Sequence, residues 1–172
     1  ISDDAALRKE IRGKISLVGE VSCKLLECEN AKTYDMYADY SEKIDKIPSH
    51  RILAVNRGEK EECLKVNIVV DTEAFVNAIK TVYVKNQTES AEIVGNACAD
   101  AYSRLIFPSV EREVRNELTD TASEQAIKMF EVNLRPLLLQ PPLKGKTILG
   151  LDPAYRTGCK IAVIDSEGNV LD

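Results

Sequence analysis

The stretch TILGLDPAYRTGCKIAVID, residues 147–165, places one carboxylate, Asp152, at the end of an apolar run and just before a proline. An acid at the carboxyl end of a buried strand can hold Mg²⁺ for phosphoryl-transfer chemistry, which makes Asp152 the candidate catalytic residue. That chemistry draws several acids from separate parts of a fold. The nearby acids here are Asp165 and Asp172, and Asp165 closes the second apolar run. If the two runs are antiparallel strands joined by PAYRTG, Asp165 sits at the opposite end of the pair from Asp152. The bland reading of Asp152 is a turn-initiating Asp-Pro whose carboxylate accepts backbone N–H bonds. No metal site and no cofactor are assigned.

A second group of chemistry-bearing residues lies in KIPSHRILAVNRGEK, which collects Lys46, His50, Arg51, Arg57 and Lys60 against the single acid Glu59. On a short helix these cations can meet phosphates, and Arg51, Arg57 and Lys60 are the candidate nucleic-acid-binding residues. The alternative is a solvated face, or arginines paired with acids of a neighbouring helix. Tyr34, Tyr37 and Tyr40 lie three apart and predict one stripe on a helix running through AKTYDMYADYSEKIDKI. Such a stripe can stack bases, dock a protein partner, or pack internally, and packing is the favoured reading.

Other motifs carry less. LKGKT lacks the glycine that a phosphate loop needs five residues before Gly145, where Gln140 stands, and two prolines intervene. One histidine, His50, is too little to define a nucleophilic triad. The five cysteines, at 23, 28, 63, 98 and 159, form an odd and scattered set without CxxC-like spacing. They read as reduced, buried thiols of a cytoplasmic protein.

Composition bounds the class. The chain has 172 residues, 44% hydrophobic and 30% charged, with a net charge of −5. It can fill a core, it is not a membrane protein by its apolar runs, and any contact with nucleic acid must come from a local basic patch. The beginning, ISDDAALRKE, lies within a helical pattern, and the end follows a hairpin turn, so the chain reads as an internal segment of a longer protein.

The elements that position these residues are mostly helical. Residues 3–14 predict a helix capped by Asp3 or Asp4, and Val21, Cys23 and Leu25 alternate as a short strand would. Pro48 is expected to stop the tyrosine helix, Ser49 to cap HRILAVNR and Gly58 to end it. CLKVNIVVD alternates as a strand. From residue 72 the pattern is helical for almost seventy residues, broken or restarted at Pro108 and kinked or ended at Pro136. QPPLKGK predicts a linker, with a boundary near residue 142 between a central helical region, 1–141, and a second region, 142–172. Beyond it the period changes from 3.6 to 2. KTILGLD and CKIAVID are strands, SEGN is a turn around Gly168, and VLD begins a third strand.

Two long segments carry a family signature. IPSHRILAVNRGEKEECLKV and NLRPLLLQPPLKGKTILGLDPAYRTGCKIAVID resemble the Tex family of bacterial transcription accessory proteins, and YSRLIFPSVEREVRNELTDTASEQAIKMFEVNL fits the same family. The resemblance covers nearly the whole chain. It implies a mainly α fold: a helical body with a short β element, followed by the first antiparallel strands of a YqgF-type, RNase H-like α/β domain. It also implies S1 and helix-hairpin-helix parts elsewhere in the protein. The expected function is that of a cytoplasmic scaffold segment in an RNA- or DNA-binding transcription accessory protein. The alternatives are a Mg²⁺-dependent RNase H-like nuclease or resolvase using Asp152, and an interaction module docking on RNA polymerase. Active resolvase-like relatives carry Gly-x-Asp-Pro-Gly, and Ala154 stands here where the last glycine would be.

Overall fold

The computed structural model describes residues 1–85, 89–141, 143–156 and 158–172, with Glu89 described in its backbone only. The expected boundary at residue 142, the part of the long helical stretch at 86–88, and Thr157 of the PAYRTG turn lie outside the described residues. The chain divides into two compact units, Ile1–Met129 and Phe130–Asp172.

The first unit opens with α1 (Ala5–Val18), whose N-terminus is capped by Asp4 accepting the N–H groups of Ala6 and Leu7, each at 3.0 Å. Strand β1 (Glu20–Leu25) follows and becomes the centre of a three-stranded antiparallel sheet of order β2-β1-β3, with β2 at Ser41–Lys43 and β3 at Leu64–Val69. The alternation expected for β3 is realised: Leu64, Val66 and Ile68 are buried and their neighbours Lys65, Asn67 and Val69 are exposed.

The tyrosine helix does not form as expected. Residues Ala31–Tyr37 make a 3₁₀ helix, and the chain then extends into β2. The second edge of β1 needs partners for its backbone, and it takes them from this segment: the N–H of Cys23 bonds to the carbonyl of Tyr40 at 2.8 Å, and that of Leu25 to Ala38 at 3.3 Å. Side chains three apart eclipse on a 3₁₀ helix, so Tyr34 and Tyr37 still share one face, and both are buried. The tyrosines pack internally, as favoured, although the element that carries them is different.

Helix α2 (Ser49–Lys60) starts with Pro48 in the cap position, and Ser49 is its first residue rather than its cap. The Ser49 hydroxyl instead reaches Gln125 at 2.5 Å. Gly58 does not end α2 but lies inside it, buried. A Cβ there would stand 2.6 Å from Leu64 Cδ1 and 3.0 Å from Tyr34 Cδ1, so glycine lets β3 and the 3₁₀ helix close on α2. The helix ends three residues later than glycine would suggest. The N–H of Cys63 bonds to Gly58 O at 2.8 Å and that of Glu62 to Glu59 O at 3.0 Å, with Glu62 at φ 57°.

Helix α3 (Thr72–Tyr83) is capped by Asp71, which accepts the Ala74 N–H at 3.1 Å. Helix α4 (Glu89–Asp100) passes through a π-helical segment, Ala101–Ile106, into α5 (Phe107–Leu138). Pro108 therefore does not break the helix. A proline ring clashes with the carbonyl four residues back and removes one N–H, and the wider π turn just before it, closed by the Phe107 N–H on Tyr102 O, accommodates both. Within this segment Tyr102 is fully buried and stacks on Phe75 at 5.8 Å.

The cysteines are corrected too. Cys28 and Cys63 are disulfide-bonded, with their Cα atoms 5.3 Å apart, and are not two reduced thiols. The antiparallel register of β1 on β3 continues through Leu26 bonding to Cys63, which carries Cys28 across to a residue 35 positions away. Cys23 and Cys98 are the buried free thiols, and Cys159 is exposed.

The second unit contains the last turns of α5, with Pro136 two residues before the helix ends at Leu138. It also contains the hairpin of β4 (Ile148–Ala154) and β5 (Gly158–Ile164). The SEGN turn forms around Gly168, at φ 92°, and Val170 bridges back to Ile164 as a third strand begins. Leu149, Leu151 and Ile161 are exposed on this ribbon.

Candidate nucleic-acid interface

Helix α2 carries the predicted basic residues, and the structure separates their fates. Arg51 is drawn inward. Its Nη1 donates to Glu42 Oε2 at 3.0 Å and lies within 3.4 Å of the Tyr40 hydroxyl, and its guanidinium stands over the Tyr40 ring at 5.4 Å. The Tyr40 hydroxyl in turn donates to Glu42. Burial, helped by the bond to Glu42, pushes the Tyr40 phenol up to about 12, while the bonds from Tyr40 and then Arg51 hold the Glu42 carboxyl below its ordinary value. This closed cluster uses Arg51 to tie α2 to β2.

Arg57 and Lys60 are one turn apart in the last turn of α2, and both are exposed. Among the described residues no carboxylate lies within ion-pair distance of either. Both complement the negative end of the helix dipole, which is a sufficient structural reason for basic residues there. They also leave two cations on one solvent face with capacity for a phosphate.

Behind α2 lies a cluster that spacing alone could have suggested but that the basic residues obscured. Glu111, Arg115 and Thr119 are four apart on α5 and share a face. Arg115 donates to both oxygens of Glu59, one at 3.0 Å, and reaches Asn56 Oδ1 at 3.4 Å. Asn56 Nδ2 donates to Thr119 Oγ1 at 2.9 Å. The bond to Glu59 pushes the Arg115 guanidinium further up from its ordinary value. Glu59, the single acid of the basic segment, is thus spent on Arg115 and does not neutralise Arg57 or Lys60. The cluster floors an open cleft of about 460 Å³ that also takes in Asn67, Arg112 and Asn116.

Asp152 lies on the exposed hairpin opposite Lys160, and Ala154 pairs with Gly158. Asp165 follows Ile164, the register partner of Ile148, so the two acids sit at opposite ends of the ribbon. Asp165 is engaged in its own turn, accepting the N–H groups of Glu167 and Asn169, each at 2.9 Å, and the Asn169 side chain. These bonds, led by that from Asn169, hold its carboxyl below the usual value. Among the described residues no three His, Cys, Asp or Glu side chains converge as a metal site would require. The residues around Asp152 offer one carboxylate, which is short of a two-metal ligand set.

Residues 1–130 match the model of the Tex central region, and residues 146–172 match the Tex protein YqgF-like domain. The chain belongs to the Tex family. It is 47% identical over 175 residues to the Bacillus subtilis protein YdcI, covering 99% of this chain and 24% of that protein. It is 32% identical over 188 residues to Protein tex of Bordetella pertussis, with the same coverage of 99% and 24%. The human S1 RNA-binding domain-containing protein 1 is 33% identical over 164 residues, 91% of this chain and 16% of that one. The chain thus spans about a quarter of the bacterial Tex-family relatives named here. No helix among its described residues is long and apolar enough to cross a membrane.

Proposed function

We propose that this chain is a scaffold segment of a cytoplasmic, nucleic-acid-binding transcription accessory protein, and that α2 contributes a phosphate contact through Arg57 and Lys60. The observation that carries the reading is the spending of Glu59 on Arg115 and of Glu42 on Arg51, which leaves Arg57 and Lys60 as exposed cations without an acid partner among the described residues. The family assignment supports it. The human relative bears the name S1 RNA-binding domain-containing protein 1, and a relative from Neisseria gonorrhoeae, 32% identical over 186 residues, bears the name Transcriptional accessory protein Tex.

Two cations on an otherwise acidic chain give weak and salt-sensitive binding, since their contribution is release of counterions. The test is a fluorescence titration of RNA and DNA oligonucleotides at several salt concentrations. Arg57→Gln with Lys60→Gln is expected to flatten the dependence of log K on log salt by about 2 on duplex DNA. An unchanged slope overturns the α2 contact. Mg²⁺-dependent cleavage that Asp152→Asn abolishes would overturn the scaffold reading in favour of a nuclease. Capture of RNA polymerase by a chain that binds no nucleic acid would replace it with a protein-docking role.

A further inference from the structure

The solvent face of the three-stranded sheet holds an arrangement that the fold does not need. The register of β1 on β3 sets Lys24 directly opposite Lys65, and both are exposed. Side chains so opposed have Cβ atoms ~4.5–5.5 Å apart, and like charges at that distance destabilise a sheet. Among the described residues neither lysine has a carboxylate within ion-pair distance. The next row of the same face is polar and uncharged, with Ser22 opposite Asn67. The one acid on the face, Glu20, stands opposite Lys43 and accepts the Ser41 hydroxyl at 2.9 Å. The face is therefore basic on a chain whose net charge is −5, and its unneutralised end is the Lys24–Lys65 pair.

We propose that this sheet face is a second phosphate-backbone contact for nucleic acid, centred on Lys24 and Lys65, with Ser22 and Asn67 as neighbouring hydrogen-bond donors. The proposal rests on the nucleic-acid-binding reading above and adds a surface to it. A phosphate between the two ammonium groups turns their repulsion into attraction to a shared anion. No Phe, Tyr or Trp stands at an outward position of β1, β2 or β3, so the face has nothing on which a base can stack. The contact is accordingly to the backbone and indifferent to sequence, and the ribose 2′-hydroxyl is not required.

The test uses the full chain with mixed-sequence RNA, single-stranded DNA and duplex DNA, titrated between about 50 and 200 mM salt. Lys24→Gln with Lys65→Gln is expected to lower the salt slope by about 2 on duplex DNA, equally for different sequences. Lys65→Glu creates an opposite-charge pair with Lys24, so it is expected to raise the melting temperature while weakening binding. A merely structural lysine pair would not move the two readouts in opposite directions. If the double variant keeps its slope while the Arg57/Lys60 variant loses its own, the sheet face is overturned and the α2 contact stands. If the unaltered chain binds no oligonucleotide at the lowest salt, both readings fall. If it binds polyaspartate through Lys24 and Lys65 but no nucleic acid, the face is a protein-docking surface and the proposal is overturned.

Discussion

Glu111 on α5 accepts the backbone N–H of Ile68 on β3 at 2.8 Å. β3 is an edge of the sheet, and this carboxylate fills the place that the carbonyl of a further strand would take. An exposed edge invites pairing with another chain, and a side chain bonded to it blunts that tendency. Glu111→Ala is expected to destabilise the fold by about 1–2 kcal/mol, because the Ile68 N–H loses its partner. Glu111→Gln keeps an acceptor and should cost less. Urea unfolding compares the two variants, and light scattering detects self-association of the alanine variant.

Gly58 carries the contact of α2 with Leu64 and Tyr34. Its replacement by alanine, which on helix propensity alone is favourable, should here cost about 1–3 kcal/mol through overpacking. Leu64→Ala in the Gly58→Ala background should recover part of the loss relative to the sum of the single variants, since it removes the atoms that the new Cβ meets. A double-mutant cycle in urea measures the coupling.

The Cys28–Cys63 bond closes a loop of sequence separation 35. Opening it restores chain entropy to the unfolded state, so reduction should lower stability by about 2–4 kcal/mol. Cys28→Ser should show the same loss without reductant and no further loss with it. A reduced chain that melts at the same temperature would remove the bond from the account of stability.

The Tyr40–Glu42–Arg51 cluster should leave a signature at both ends of the pH scale. The Glu42 carboxyl is depressed from an ordinary 4.5, so the stability it contributes is present above that pH and is lost as pH falls through the lower folded value. The Tyr40 phenol is raised from 10 to about 12, so its contribution is present below 10 and is lost as pH rises towards 12. The melting temperature of Glu42→Gln should therefore lie below that of the unaltered chain at neutral pH, and the two should converge in acid. Tyr40→Phe should lose the alkaline part of the profile.

Much of the local architecture was legible from the order of residues. Asp4 could be read as a cap, and the alternation at Leu64, Val66 and Ile68 as a half-buried strand, because each depends on neighbours a few positions away. The family was legible for a similar reason, since its signature runs are contiguous. Reading by period failed where a distant element competed for the same backbone. The Tyr34–Tyr40 segment has helical spacing, but β1 required hydrogen-bond partners and took them at Ala38 and Tyr40. Gly58 looked like a helix end because nothing local reveals that Leu64 and Tyr34 press on its Cα.

By itself, the sequence determined the helical character, the Asp4 cap, the alternation of β3, the antiparallel hairpin at the carboxyl end and the family. Only the tertiary structure decided which charged and reactive groups are free. Arg51, Arg57 and Lys60 are alike in composition, yet Arg51 is engaged by Glu42, and Glu59 is taken by Arg115 from 56 residues away. Cys28 meets Cys63, and Lys24 faces Lys65, through a strand register that no neighbouring residue encodes. Charge and thiol chemistry depend on what stands within a few ångströms, and that distance is set by the fold of the whole chain.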